Sequence, residues 1–381
     1  MSLNAEQQQA VDLTLAHPAT SMLVVGGPGS GKTHTLTHTC MGLLREHGVP
    51  PADILMVTFT RAAADEMEAR MSRVLGHPSG IASGTFHSLA YAHLQNMGKR
   101  CHLVAQDALK DAAVRYVLSQ DEEEMNGQTF DSEDDRQKAR KTGLYALNAA
   151  LLWREGAATA RPTARQQRFL AMYDALKTRE GGMDFHDLLL QMEAELDQFH
   201  AFKHVLVDEV QDLNPIQLRL LQGLHRRGAQ IVAIGDDNQA IYGFRGSNVE
   251  HLLQFDTHFA PAQQMVLRNN YRNPAAVVEL AQRTIAQIRG RIKREVVVRS
   301  SRTDPLEYGV PPSKVVDRIV QHQGTRQFVI ARERAQLDAI GQALEERGIS
   351  FTRRQAPSGI ELSALTAVAH LQAGRPELAQ P

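Results

Sequence analysis

From Met22 to Thr33 the chain reads MLVVGGPGSGKT, an apolar run that breaks into a glycine-rich turn and ends on a lysine and a threonine. This is the phosphate-binding loop pattern GxxxxGK[ST], spanning Gly26 to Thr33. Gly26, Gly27, Gly29 and Gly31 permit backbone conformations that a Cβ forbids, so the N–H groups of the stretch that also holds Pro28 and Ser30 can turn inward on a pyrophosphate. Lys32 is placed to reach the β- and γ-phosphates, and Thr33 to offer its hydroxyl to Mg²⁺. A helix starting at about Lys32 puts its positive dipole end behind the phosphates.

Two further stretches carry chemistry of the same kind. The apolar run His204–Asp208 ends on adjacent carboxylates, Asp208 and Glu209, followed by Val210, Gln211 and Asp212. A P-loop ATPase needs such a pair: Asp208 to hold Mg²⁺ and Glu209 to orient and deprotonate the attacking water. The cluster also reads as a helix cap, with Asp212 or Asn214 capping a helix that begins at Pro215. The second stretch, IVAIGDDNQAIYGFRGS at Ile231–Ser247, opens from a buried strand into Gln239, whose amide can sense a γ-phosphate or its attacking water. Tyr242 and Phe244 then offer flat faces for exposed bases, or else serve as core residues at i, i+2 spacing.

These side chains need a common platform, and the periodicity supplies one. β-branched runs at Met22–Gly27, Ile54–Thr60, Ile81–Thr85, His204–Asp208 and Gln230–Gly235 alternate with helical patterns at His34–Glu46, Ala62–Val74 and Pro215–His225. The pattern predicts an α/β fold in which one parallel sheet collects the chemical residues at its carboxyl edge. From about Gln95 to Met183 the rhythm gives way to a mostly helical insertion with an acidic and then a basic cluster. After Tyr271 it resumes, with helices Pro274–Arg289, Ser313–His322 and Ala335–Arg347, strands Val296–Arg299, Gln327–Ala331 and Ser350–Thr352, and a final helix near Leu362–Leu371.

Composition narrows the setting. The 381 residues suffice for two or three compact units, and the net charge is −1. From Arg268 to Arg354, however, 17 Lys and Arg stand against nine Asp and Glu, which permits a local nucleic-acid surface, although solvated helix faces are the commoner cause of such a balance. Cys40 and Cys101 alone make no disulfide framework, which points to a reducing, cytoplasmic setting. No apolar run is long enough to span a membrane, and the polar start MSLNAEQQQA is unlike a signal peptide.

Eight motifs in order, LNAEQQQAV, the phosphate loop, TFTRAAADEM, GTFHS, DFHDLL, VDEVQD, GDDNQAIYGFRG and NNYRNP, make residues 3 to about 275 resemble the UvrD/Rep-like superfamily 1 DNA helicases. The resemblance implies a RecA-like P-loop parallel sheet lobe with a helical insertion and an incomplete second α/β lobe. The first lobe would comprise residues 1–94 and 184–274, the insertion residues 95–183, and the partial second lobe residues 275–381. It implies ATP and Mg²⁺ as cofactors and single-stranded DNA, or DNA with a single-stranded tail, as the track of a 3′ to 5′ motor. In such a motor Gln7 reads the adenine edge and Tyr271 stacks on its ring. Arg272 touches the γ-phosphate, and Gln239 couples that phosphate to the DNA. Phe59, Thr60, Thr85, His87, Tyr242, Phe244 and Arg245 match DNA-contacting positions. Taken alone, Gln7 also fits a surface glutamine and His87 a structural histidine.

The departures are specific. His34, in the nucleotide-binding segment, stands where many members carry arginine; Ala62 replaces a common lysine and Phe244 a frequent tryptophan. His34 and His38, at i, i+4, imitate a metal pair but lack a third ligand and read as helix-surface residues. Two late family motifs are not found, and Ser358–Glu361 only faintly echoes one of them. Weak turnover by this chain alone is therefore expected. It would be a fragment of a full motor, one half completed by a second polypeptide, or an ATP-gated DNA-binding module.

Overall fold

Short runs that are apolar on both faces decide the architecture, because parallel strands survive only when helices cover the sheet on each side. The computed structural model describes residues 2–124, 132–243, 246–288, 290–303, 312–322, 327–331 and 334–352. The chain divides into two compact units, Met1–Thr303 and Asp304–Pro381. In the first, α1 (Ala5–Ala16) leads into β1 (Ser21–Gly26), α2 (Lys32–Arg45), β2 (Ile54–Val57), α3 (Arg61–Leu75), β3 (Ala82–Gly84) and α4 (Phe86–Asn96). Three helices follow: α5 (Gln106–Glu124), α6 (Glu133–Arg154) and α7 (Ala164–Arg179). Next come α8 (Phe185–Ala194), β4 (His204–Val207), α9 (Pro215–Arg226) and β5 (Gln230–Gly235). The unit finishes with α10 (Glu250–Leu253), α11 (Phe255–His258), β6 (Ala262–Leu267), β7 (Asn269–Asn270), α12 (Ala275–Ile285) and β8 (Val297–Val298).

β1 to β6 form one parallel sheet in the order β3-β2-β4-β5-β1-β6. Leu23, Val25, Val205 and Val207 face the layer of α4, α8 and α9, where Leu94, Leu188 and Leu220 meet them. Met22, Val24, Leu206 and Val232 face the opposite layer, with Val11 of α1, Leu36 of α2 and Met67 of α3. The expected α/β class and parallel sheet are what the structure contains.

Several elements differ from their expected form. The sequence pattern gives no sign of β6: AQQMVL carries two glutamines, and pairing with β1 from Ser21↔Ala262 to Gly26↔Leu267 orders it. The strand expected at Val296–Arg299 is only Val297–Val298, paired with β7. Gln327–Ala331 and Ser350–Thr352 are not strands, and Phe328 and Ile330 are 80% and 91% exposed, so β propensity there finds no partner among the described residues. In the second unit α13 (Pro312–Gln321) and α14 (Arg334–Glu345) share the buried Val316 and Leu344, and Arg347 pairs with Asp317 at 2.5 Å. The final helix expected near Leu362–Leu371 and the echo at Ser358–Glu361 lie outside the described residues.

The inserted helices own a separate core built on Val114, Leu147, Phe169 and Tyr173. Gly143 is required there, since a Cβ would sit 2.5 Å from Val114 Cγ1. The chain enters and leaves side by side, with Val104 N–H donating to Met183 O at 3.0 Å and Met183 N–H to His102 O at 2.8 Å. Asp184, the N-cap of α8, ties this joint by accepting from Tyr173 Oη at 2.9 Å and Lys177 Nζ at 3.0 Å. Against its own burial, the Asp187 backbone N–H and Lys177 hold the Asp184 carboxyl down at about 2.

Beside it Glu155 lies 3.4 Å from His186 Nδ1. Burial pushes Glu155 from 4.5 up to about 7, and burial and Arg154 push His186 down. Between those two values the folded chain keeps a proton on Glu155 that the unfolded chain has released. That stabilising contribution is full below about pH 4.5 and is lost as pH rises through about 7. Glu155→Gln should therefore fall less steeply in thermal midpoint than the parent over that interval; parallel curves would exclude the contribution.

Candidate nucleotide site

The phosphate loop connects β1 to α2, and two of its glycines take the left-handed conformation, Gly29 at φ 76° and Gly31 at φ 84°. Neither tolerates a Cβ, which at Gly31 would lie 2.3 Å from Gln7 Nε2 and at Gly29 2.4 Å from Arg272 Cβ. Lys32 is buried and donates from Nζ to Gly26 O at 2.9 Å, folding its ammonium back over the loop that contains it. Ser30 Oγ is buried with no hydrogen-bond partner among the described residues. An orphaned hydroxyl, a buried ammonium and glycines without room for a side chain fit a phosphate group.

α1 closes one side of this loop. Asn4 and Gln7 form a reciprocal capping box: Gln7 N–H donates to Asn4 Oδ1 and Asn4 N–H to Gln7 Oε1, each at 2.9 Å. Gln7 Nε2 donates to Ser30 O at 2.9 Å. Gln7 is 4% exposed, so it is no surface glutamine. On the other side, Asn270 Nδ2 donates to Pro28 O at 2.8 Å and Tyr271 N–H to Gly29 O at 3.0 Å. Asn270 Oδ1 accepts from the backbone of Arg272 and Asn273, both at 3.0 Å. Tyr271 keeps an exposed ring while its hydroxyl accepts from Asn4 Nδ2 at 2.8 Å. Gln7, Tyr271 and Arg272 are thus brought to the loop; Asn4 and Asn270, which hold them, carry no signal in the sequence beyond lying inside quoted motifs. His34 follows in the first turn of α2, its ring 4.5 Å from that of His38, edge to face.

β4 delivers the two acids. Asp208 is buried, and its Oδ1 accepts from Glu209 N–H at 2.9 Å. Burial and then the Glu209 charge push Asp208 up to about 6, with the Lys32 ammonium acting against them. Glu209 takes φ 50°, left-handed for a residue with a side chain, which costs about 1–2 kcal/mol. Its Oε2 accepts from Gln211 Nε2 at 2.9 Å, and Gln211 Oε1 accepts from Asp236 N–H at 3.0 Å, so the acid is tied to the end of β5. The helix cap goes to Asn214, whose Oδ1 accepts from Gln217 N–H at 2.9 Å. Asp212 does not cap it: its Oδ1 is buried without a hydrogen bond among the described residues, and burial and the Glu209 charge push it up to about 7.

Past β5, Gln239 Nε2 donates to Asp236 Oδ2 at 2.6 Å. Asp236 and Asp237 are fully buried, and the guanidinium of Arg294 bridges both. One arginine of the basic stretch is therefore an internal counter-ion. Arg268 is also paired, to Glu6 of α1 at 2.8 Å.

Of the residues expected to meet DNA, the described ones follow β2, β3 and β5 along the same edge. Phe59 is half-buried against the core, and Thr60 caps α3. Thr85 caps α4, and burial pushes the His87 imidazole down to about 4. The ring of Phe185, 41% exposed, stands 5.2 Å from that of His87, edge to face. That aromatic lies in the DFHDLL motif and its exposure is the signal that singles it out. Tyr242 is 37% exposed, which removes it from the core; Phe244 and Arg245 lie outside the described residues.

The UvrD/REP helicase N-terminal domain model matches residues 3–260, and the chain belongs to that family. It is 31% identical over 311 residues to DNA helicase II of Salmonella typhimurium, covering 77% of this chain and 42% of the relative. Identity to Escherichia coli DNA helicase II is 30% over 320 residues, covering 80% and 43%. ATP-dependent DNA helicase PcrA of Staphylococcus epidermidis is 26% identical over 374 residues, covering 92% and 50%. The chain thus spans half or less of the length of these relatives.

Gly29→Ala should lower stability by about 1–2 kcal/mol from its backbone conformation alone and weaken nucleotide binding by displacing Arg272. Gly27→Ala, with nothing within 4 Å of the added carbon, should stay within about 0.5 kcal/mol of the parent. Thermal unfolding and titration with a fluorescent ATP analogue check the pair; equal effects would remove the role given to the Gly29 contact.

Proposed function

We propose that this chain binds ATP with Mg²⁺ at the carboxyl edge of its sheet and couples ATP hydrolysis to movement along single-stranded DNA, 3′ to 5′, as part of a helicase. The reading rests above all on one connection: Glu209 at the end of β4 is joined through Gln211 to Asp236 at the end of β5, beside a loop that already buries Lys32. In this reading residues 1–94 and 184–274 are the first motor lobe, 95–183 its insertion, and 275–381 belong to the second lobe.

Each residue then has a task. The backbone of Gly26, Gly27, Gly29, Ser30 and Gly31 receives the phosphates, with Pro28 and His34 flanking them, and Lys32 exchanges Gly26 O for a phosphate oxygen. Thr33 and Asp208 hold Mg²⁺, which when bound neutralises charge on the β- and γ-phosphates. Glu209 takes the proton of the attacking water, Gln239 senses the γ-phosphate, and Arg272 stabilises its developing charge. Gln7 has one amide hydrogen and one lone pair beyond its bonds to Ser30 and Asn4, enough to read the adenine edge, while Tyr271 offers its ring. Phe59, Thr60, Thr85, His87, Tyr242, Phe244 and Arg245 line the DNA track, and the exposed ring of Phe185 joins them, each stacked base contributing about 1–3 kcal/mol.

The test is ATP turnover with and without single-stranded DNA. DNA-stimulated hydrolysis should fall at least a hundredfold in Lys32→Ala and Glu209→Gln, with nucleotide binding kept in Glu209→Gln. ATP binding without any stimulated turnover would instead make the chain an ATP-gated DNA-binding module.

A further inference from the structure

The structure assigns a positioning role to Arg294, which neither the phosphate loop nor the acidic pair requires. We infer that Arg294, acting through Asp236, sets the orientation of the Gln239 amide and so ties the segment beyond α12 to the γ-phosphate end of the site. The inference rests on the reading of Gln239 as the phosphate sensor.

The contacts form an unbroken set. Asp236 Oδ2 accepts from Gln239 Nε2 at 2.6 Å, while Asp236 Oδ1 accepts from Asn238 N–H at 3.0 Å and from the Arg294 guanidinium. The same guanidinium reaches Asp237 Oδ1, and Asp237 Oδ2 accepts from Ile292 N–H at 2.9 Å. The Arg294 side chain is 5% exposed, and those of the two acids are 1% and 0% exposed. Water cannot replace the guanidinium there, so removing it leaves two adjacent buried carboxylates without a counter-charge. The Asp236 carboxylate then has the Gln239 amide and the Asn238 N–H to satisfy it, so the amide is drawn onto the uncompensated acid. The glutamine no longer presents the same donor to a phosphate. The backbone of Asp236 is meanwhile fixed by Gln211, the partner of Glu209, so the displacement falls on the side chains.

The experiment compares the full chain with Gln239→Ala, Arg294→Met and the double variant. Each is titrated with a fluorescent non-hydrolysable ATP analogue and with the matching ADP analogue in Mg²⁺, and thermal unfolding confirms that each is folded. The readout is the ratio of the two affinities, which a general loss of structure would not move selectively. Gln239→Ala should cut the preference for the triphosphate by about tenfold, as expected for a hydrogen bond to a charged group. Arg294→Met should cut it comparably, and the double variant should be no worse than either single one.

The inference is overturned if Gln239→Ala loses the preference while Arg294→Met keeps it, if Arg294→Met weakens both analogues in proportion, or if the two losses simply add. If Gln239→Ala itself keeps the preference, the sensor reading fails and the inference falls with it, a result distinct from the other three. Should Arg294→Met not fold, Arg294→Lys keeps the charge but not the two-pronged reach to both acids: loss of the preference supports the inference and its retention refutes it.

Discussion

A parallel sheet finishes all of its strands on one side, and this constraint is what the rest of the molecule depends on. Strands β1, β4 and β5 stop within one another's reach, so residues nearly two hundred positions apart in the chain become neighbours without any long loop to carry them. The helices on both faces are the condition for that arrangement, because the sheet's apolar residues are divided between two separate cores. Local chemistry then finishes the edge: left-handed glycines in the phosphate loop, a strained glutamate after β4, and two glutamine side chains, Gln7 joining α1 to the loop and Gln211 joining the ends of β4 and β5.

Charge is handled at this edge by concentration and not by avoidance. Asp208, Asp212, Asp236 and Asp237 are all buried within the turns after two adjacent strands. Asp236 and Asp237 share a guanidinium, whereas Asp208 has the Lys32 charge acting on it and Asp212 Oδ1 has no hydrogen bond among the described residues. The contrast separates acids that share a counter-ion within the fold from acids that burial raises toward neutrality.

What could be read from the chain follows from how far each signal reaches. The phosphate loop, the Asp208–Glu209 pair and the sheet are written in contiguous residues or in continuous apolar runs, so the strands and the residues at their ends were legible. β6 was not, because two glutamines interrupt its apolar run and it is held by its pairing with β1. Arg294 was read as one member of a basic stretch, since nothing local distinguishes a lone arginine whose partners lie 57 and 58 positions away. Asn4 and Asn270 are of the same kind: short polar side chains whose value lies in two-sided hydrogen bonding that only the folded chain displays. Propensity misled in the other direction at Gln327–Ala331, where β-branched residues found no strand to join among the described residues.

The paired backbone bonds between residues 102–104 and Met183 bring the two ends of the insertion together. A module whose two ends meet leaves the host sheet its own closure, since loop entropy grows only slowly with the number of residues between fixed ends. It is not detached from that sheet, however: a Cβ on Gly246, in the segment after β5, would lie 2.9 Å from Ala157 Cβ, so a change of packing in the three helices is felt at the strand ends.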